Sequence, residues 1–180
     1  MKQRTNYGNW VPATILRISY GCAVAFLLLF FFSAFCWHNF WAAVIAGLLA
    51  LAAVIIAIFM QVCHHTFSFN GGGLMGEIHQ FLIDHLNWNG QGTLLDIGCG
   101  AGALTNRCAK QFPEATLQGM DYWGMGWDYA KEQCERNAEI EGVADRVTFS
   151  KGDASKLDFA DESFDAAVSN FVFHEVKTQP

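Results

Sequence analysis

Hydrophobic positions along this chain follow three different periods, and each period predicts a different element. From Ile18 to Trp37, and again from Phe40 to Cys63, no charged residue occurs. A bilayer core about 30 Å thick takes roughly 20 apolar residues of helix, so each run is long enough to cross it. Both runs are apolar on every side, and the remaining chain is too short to wrap two such helices as a soluble core. A cleaved signal peptide fits the first run poorly, because such apolar regions span about 7–15 residues and here a second run follows almost at once. Two transmembrane helices are therefore expected within residues 14–65, turning around His38 and Asn39 and preceded by a tail over residues 1–13. Trp10, Trp37 and Trp41 stand near the expected span ends, where indoles favour the interface. Ala42, Ala46, Ala50, Ala53 and Ala57 recur every three or four residues in the second run. That small-residue stripe would let the first helix approach closely.

The stretch SFNGGGLMGE (68–77) interrupts this pattern, and residues 66–76 read as a glycine-rich linker. Beyond it the period becomes that of a short amphipathic helix, with Ile78, Phe81, Leu82, His85 and Leu86 on one face. Residues 93 onward then alternate between strand and helix. Strands are expected at 93–97, 115–120, 146–150 and 164–169. Helices are expected at 103–111, stopped by Pro113, at 127–141, ending near Gly142, and from about 171. Strands separated by helices imply right-handed crossovers and a parallel α/β sheet.

Charge sharpens the division. Residues 1–65 carry Lys2, Arg4 and Arg17 and no acid, whereas all 17 Asp and Glu lie beyond. A basic tail favours the cytoplasmic side, and two spans return the chain to that side. The acidic remainder lacks a basic stripe, which argues against nucleic acid as a partner. The six cysteines form no CxxC pair and have no histidine at zinc spacing, so they read as small buried residues and no metal site is expected. His64 and His65, adjacent on a helix, point apart and read as interfacial groups.

The most informative stretch is LLDIGCGAGALT (94–105), an apolar strand ending in Asp96 and running into Gly98, Gly100 and Gly102. Glycines at such a turn let a ligand approach the backbone. Alone, GCGAGA also fits the dinucleotide fingerprint, and Asp121 follows where a ribose-binding acid belongs. Asp96 separates the two readings. A carboxylate just before the first glycine would repel a pyrophosphate, but it suits a ligand with a cationic amino acid end.

Four stretches in order make residues 76–180 resemble the class I S-adenosylmethionine-dependent methyltransferases: LLDIGCGAG, GMDYW (119–123), KGDASKLDF (151–159) and FDAAVSNFVFHEV (164–176). The last also resembles the ubiquinone and menaquinone methyltransferases. The resemblance implies a partial Rossmann-like, doubly wound parallel sheet over residues 77–180, with S-adenosyl-L-methionine as cofactor. It implies that Asp96 and the Gly98–Gly102 loop, Cys99 and Gly100 included, contact the methionine portion, with Asp96 favouring its ammonium directly or through water. Asp121 would take the ribose hydroxyls, Tyr122 would lie beside the adenine, Asp153 would accept from the adenine amino group and Ala154 would offer its backbone N–H. Asn170 and Phe171 would stand where the methyl group meets its acceptor. His174 is a candidate general base, with helix packing as the competing role. The family sheet has seven strands, of which only four are expected here, so the chain reads as a fragment of a longer frame or as half of a sheet completed by a partner.

The function expected is a cell-membrane-anchored methyltransferase acting on a small-molecule acceptor, lipid or quinone among them. The alternative is a noncatalytic membrane protein whose incomplete module binds cofactor or partner. The topology is directly testable. Cysteine labelling in intact cells should find position 39 outside and position 2 inside, and the reverse at either position would overturn the two-span orientation.

Overall fold

The computed structural model describes residues 4–69, 73–124, 131–174 and 176. The chain falls into two compact units: Asn9–Met75 forms one, and Gly76 onward forms the other together with the described tail residues through Gly8.

In the first unit, helix α1 (Ala13–Phe31) widens into a π-helical turn (Phe32–Cys36), and helix α2 (Phe40–Thr66) follows. Asn39 caps α2 by accepting the Ala42 N–H at 3.0 Å, which satisfies one of the donors every helix start leaves open. The small-residue stripe does pack: Ala46, Ala50, Ala53 and Ala57 are buried, while Leu48, Leu51, Ile55 and Ile58 are exposed. Phe30 lies 3.2 Å from where a Cβ on Gly47 would stand, so this glycine admits an aromatic ring from the neighbouring helix. Both helices are long and apolar enough to cross a membrane, and only 6% and 17% of their apolar windows are buried. A core helix of a water-soluble domain would bury most of such a window. At the open end of the hairpin, the Asn9 amide donates to the His64 carbonyl at 2.8 Å, and the His64 ring meets the Val11 carbonyl at 2.7 Å.

The second unit is an α/β sheet. Helix α3 (Leu74–Asp84) precedes strand β1 (Gly92–Ile97), helix α4 (Ala103–Gln111), strand β2 (Ala115–Asp121), helix α5 (Lys131–Glu141), strand β3 (Val147–Lys151) and strand β4 (Ala166–Ser169). The strands are parallel in the order β3-β2-β1-β4. Every residue of β1 from Leu94 to Ile97 is buried, with successive side chains on opposite faces of the sheet. Leu94 packs with Cys108, Ala109, Cys134, Ala138 and Phe149 on one face, and Leu95 and Ile97 pack with Met120, Phe159 and Phe164 on the other. This central strand is thus covered on both sides, as parallel sheets require. The same parallel register carries the last residues of all four strands to one edge.

Three details depart from the sequence expectation here, and a fourth falls outside the described residues. Strand β4 begins at Ala166 because Asp165 is occupied with Thr93: its N–H donates to the Thr93 carbonyl at 2.9 Å and its carboxylate accepts the Thr93 N–H at 2.7 Å. The Thr93 N–H, with the Thr93 hydroxyl donating at 3.1 Å, also holds the Asp165 carboxyl below its ordinary range. On α3 the buried face runs through His79 and Ile83, whereas Phe81 and His85 are exposed and stack on each other at 4.1 Å. Both faces carry apolar residues at helical spacing, so the period alone does not choose between them. The helix expected from about 171 does not start there, since residues 170–174 form a bend and a turn, and the remainder lies outside the described residues. Helix α5 is described from Lys131, the expected start at 127 lying outside the described residues.

Tail residues belong with this unit. The Asn6 N–H donates to the Asn137 side chain at 2.9 Å, Asn137 returns a bond to the Asn6 carbonyl at 2.8 Å, and the Tyr7 hydroxyl meets Glu141 at 3.0 Å.

Strand β3 starts one residue later than expected, and Arg146 stands just before it, with its N–H donating to the Val143 carbonyl at 3.1 Å. Its guanidinium donates to the carbonyls of Ala109, Phe112 and Ala115 at 2.8, 3.2 and 3.0 Å, closing the connection between α4 and β2. Arg146→Ala should lower unfolding free energy by about 2–4 kcal/mol, because charged-group hydrogen bonds each contribute roughly 1.5–3 kcal/mol and the loss is not additive. Arg146→Lys, a point charge without the planar fork, should recover less than half. Denaturant unfolding of the chain in detergent, followed by backbone circular dichroism, measures both.

Candidate cofactor-binding site

Glycine places the turn between β1 and α4. Gly98, Gly100 and Gly102 all adopt left-handed φ, at 74°, 57° and 79°, a region that costs other residues roughly 1–2 kcal/mol. Two of them also answer to packing. A Cβ on Gly98 would stand 2.1 Å from the Val172 side chain, and one on Gly102 would stand 3.0 Å from the Phe149 ring. Gly98 therefore makes room for the segment that follows β4, and Gly102 lets α4 begin close to β3. The Gly98 and Cys99 N–H groups both donate to the Met120 carbonyl, at 2.7 and 3.0 Å, which ties the turn to the end of β2.

Asp121 completes that tie. One carboxylate oxygen accepts the Gly100 N–H at 2.8 Å and the other accepts the Trp123 N–H at 2.9 Å. Trp123, at φ 41°, returns to the turn by donating its indole N–H to the Gly100 carbonyl at 2.9 Å. The Cys134 thiol donates to the same carbonyl at 3.1 Å. Each Asp121 oxygen keeps a second lone pair, so the carboxylate can accept further donors without releasing the turn.

Asp96 lies beneath the turn rather than on its surface. It is 1% exposed, and its carboxylate accepts the Thr105 hydroxyl at 2.6 Å. Burial pushes the Asp96 carboxyl up to about 7, and the negative Asp121 nearby adds to the rise, against the lowering effect of the Thr105 hydrogen bonds. A direct contact between Asp96 and a ligand ammonium is not what this placement favours; contact through water or through the turn is. Cys99 is also buried, and its bond with Cys134, followed by burial, pushes its thiol well up, so it serves as packing beneath the loop.

The other expected residues line the same strand edge. Tyr122 is 63% exposed, with the Lys151 ammonium 5.2 Å from its ring centroid. Asp153 is exposed, and its Oδ1 accepts the N–H and hydroxyl of Ser155 at 2.8 and 2.7 Å, which holds its carboxyl below the ordinary value. Ala154 packs against Leu95, Ile97 and Met120. Asn170, half-buried just past β4, has its amide nitrogen 3.1 Å from Nε2 of His79. Phe171 is exposed at φ 56°, and His174 is exposed in the following turn. Among the described residues no group of histidine, cysteine and acidic side chains could hold a metal ion.

Four site residues were not legible in advance: Thr105, Trp123, Cys134 and His79. Trp123 was the most accessible of them, being two residues beyond the ribose-type acid. A shallow groove of about 860 Å³ opens at the opposite, amino-terminal end of β1, lined by Leu86, Trp88, Asn89, Gly92 and Asp165. Its acid is committed to Thr93, and ligands of parallel α/β sheets bind at the carboxyl ends of the strands, so the glycine turn is the better candidate.

The Asp96 placement has a measurable consequence. Its folded value near 7 lies above an unfolded value of about 4, so the folded chain holds the extra proton between those limits. Stability from this group is present below about pH 4 and is lost as pH rises through 7. Asp96→Asn removes the titration. The variant should gain on the natural chain by on the order of 3 kcal/mol between pH 4 and pH 8, read by denaturant unfolding at several pH values. A constant difference would show that Asp96 ionises normally.

Residues 94–180 match the family model described as "Methyltransferase domain". Sterol 24-C-methyltransferase of Yarrowia lipolytica is 38% identical over 73 residues, which cover 41% of this chain and 18% of that protein. Malonyl-acyl-carrier-protein O-methyltransferase of Halalkalibacterium halodurans is 31% identical over 83 residues, 44% of this chain and 28% of that protein. The solved structure of an S-adenosylmethionine-dependent methyltransferase from Thiobacillus denitrificans, in complex with S-adenosyl-L-homocysteine, superposes with a TM-score of 0.43 at 29% identity, covering 53% of this chain and 36% of that one. The chain spans less than a third of both curated relatives. Residues 94–180 are thus similar to a methyltransferase domain.

Proposed function

We propose that this chain is a membrane-anchored, S-adenosylmethionine-dependent methyltransferase whose acceptor is a small molecule of lipid or quinone character. The observation that carries the reading is the Asp121 carboxylate bonded to the Gly100 N–H across the end of two adjacent strands. It brings a glycine turn and a free pair of acceptor positions to one point, which is what a ribose joined to a charged amino acid end requires. When bound, S-adenosylmethionine supplies an electrophilic methyl group on a cationic sulfur.

The chain's own residues would divide the remaining work. Asp121 accepts the two ribose hydroxyls, and Tyr122 offers an exposed aromatic face for the adenine. Asp153, its Oδ1 committed to Ser155, keeps Oδ2 for the adenine amino group, and the Ala154 N–H faces the ring. The Gly98–Gly102 turn receives the methionine portion, with the Asp96 charge below it favouring an ammonium. Asn170 and Phe171 stand at the acceptor side. Methyl transfer asks little of a protein beyond in-line positioning and exclusion of water, so neither His174 nor any other base is required. The two apolar helices and the basic tail support an anchor with both ends cytoplasmic, and the anchor supports an acceptor drawn from the membrane. The name of the yeast sterol methyltransferase points the same way for that protein.

Asp121→Ala should weaken S-adenosylmethionine binding by about ten- to a hundredfold, since it removes two charge-assisted hydrogen bonds. Isothermal titration of the whole chain in nanodiscs measures it, with circular dichroism to check the fold. An unchanged dissociation constant in a folded variant would remove Asp121 from the site.

A further inference from the structure

We propose that His79 is a positioning residue for Asn170: it takes the Asn170 amide N–H and so turns the Asn170 carbonyl oxygen toward the point where cofactor methyl and acceptor meet. The proposal rests on the cofactor reading above and names a residue outside every motif that supports that reading.

His79 sits on α3 and is 3% exposed. Its Nε2 stands 3.1 Å from Nδ2 of Asn170. An amide nitrogen only donates, so Nε2 is the acceptor and the imidazole carries its hydrogen on Nδ1. Burial, with the Arg107 charge as a lesser cause, pushes the His79 imidazole down to about 4, which keeps the ring neutral and able to accept. An Asn side chain has one carbonyl and one amino end, and fixing the second fixes the first. The neighbours are arranged to hold this pair. Arg107 of α4 donates to the Gly76 carbonyl at 3.5 Å, and its guanidinium lies 2.9 Å from where a Cβ on Gly76 would stand. The first turn of α3 is thereby set against α4, and His79, one turn later, meets the end of β4. On the other side, the Ser169 hydroxyl donates to the Ile97 carbonyl at 3.0 Å, and Val172 fills the hollow at Gly98. Asn170 is held between these two contacts, next to the glycine turn. A carbonyl oxygen there would attract the hydrogens of a methyl group on cationic sulfur by weak C–H···O contact and would orient it without taking part in bond making.

The test uses the whole chain in nanodiscs, with ¹⁵N-labelled histidine and S-adenosylmethionine labelled with ¹³C at the methyl. The ¹⁵N spectrum should show His79 protonated on Nδ1 with a hydrogen-bonded, unprotonated Nε2. His79→Gln, whose carbonyl can accept the same N–H, should keep the bound methyl resonance where the natural chain has it. His79→Leu should return that resonance most of the way to the free-cofactor position while changing the dissociation constant by less than about threefold. A ring protonated on Nε2, or a methyl resonance indifferent to leucine, would overturn the role of His79 while leaving the cofactor site intact. Absence of cofactor binding in the natural chain would instead overturn the site reading, and this proposal with it. If the leucine variant does not fold, the tautomer and the glutamine variant decide alone.

Discussion

The bond from the Gly100 N–H to the Asp121 carboxylate is the constraint on which the rest of this site depends. A turn of three left-handed glycines has no side chains of its own to hold it and exposes backbone donors that need partners. Asp121 supplies the partner from the end of the neighbouring strand, as a charged acceptor, which makes the bond about twice as strong as a neutral one. Trp123 and Cys134 then close on the Gly100 carbonyl from the other side. The turn is thus fixed at its centre before any ligand arrives, and the acid that fixes it still has capacity to accept.

That arrangement sets two carboxylates against each other. Asp121 lies at the strand edge with N–H donors on both oxygens, whereas Asp96 is enclosed beneath the turn with one hydroxyl partner. Enclosure therefore pushes the Asp96 carboxyl up, and the Asp121 charge nearby adds to the rise. Near neutrality the buried acid is poised between its two forms, and a cation at the turn would favour the ionised one. The sequence feature that first distinguished this turn from a dinucleotide fingerprint is thus also the group whose charge is least settled.

Legibility followed the range of the interactions. The strands, the glycine turn, the alanine stripe and the order of the elements were readable because each is a local period or a contiguous motif. The buried face of α3 was not, because Phe81 and His79 both fit a helical stripe and only the tertiary setting chose His79. The late start of β4 comes from Asp165 pairing with Thr93, a contact between residues far apart in the chain. Trp123, Cys134 and the Asn6–Asn137 pair escaped for the same reason. A glycine motif says that something approaches closely; it does not say that at Gly98 the neighbour is Val172.

The central claim is that the turn clamped by Asp121 is where S-adenosylmethionine binds, and amide hydrogen exchange with added S-adenosyl-L-homocysteine tests it at the residues concerned. The Gly100 and Trp123 amides, which donate to Asp121, should exchange markedly more slowly with the ligand and show no change with NAD at the same concentration. Exchange at 98–102 and 121–124 that is indifferent to S-adenosyl-L-homocysteine, or slowed equally by NAD, would contradict it.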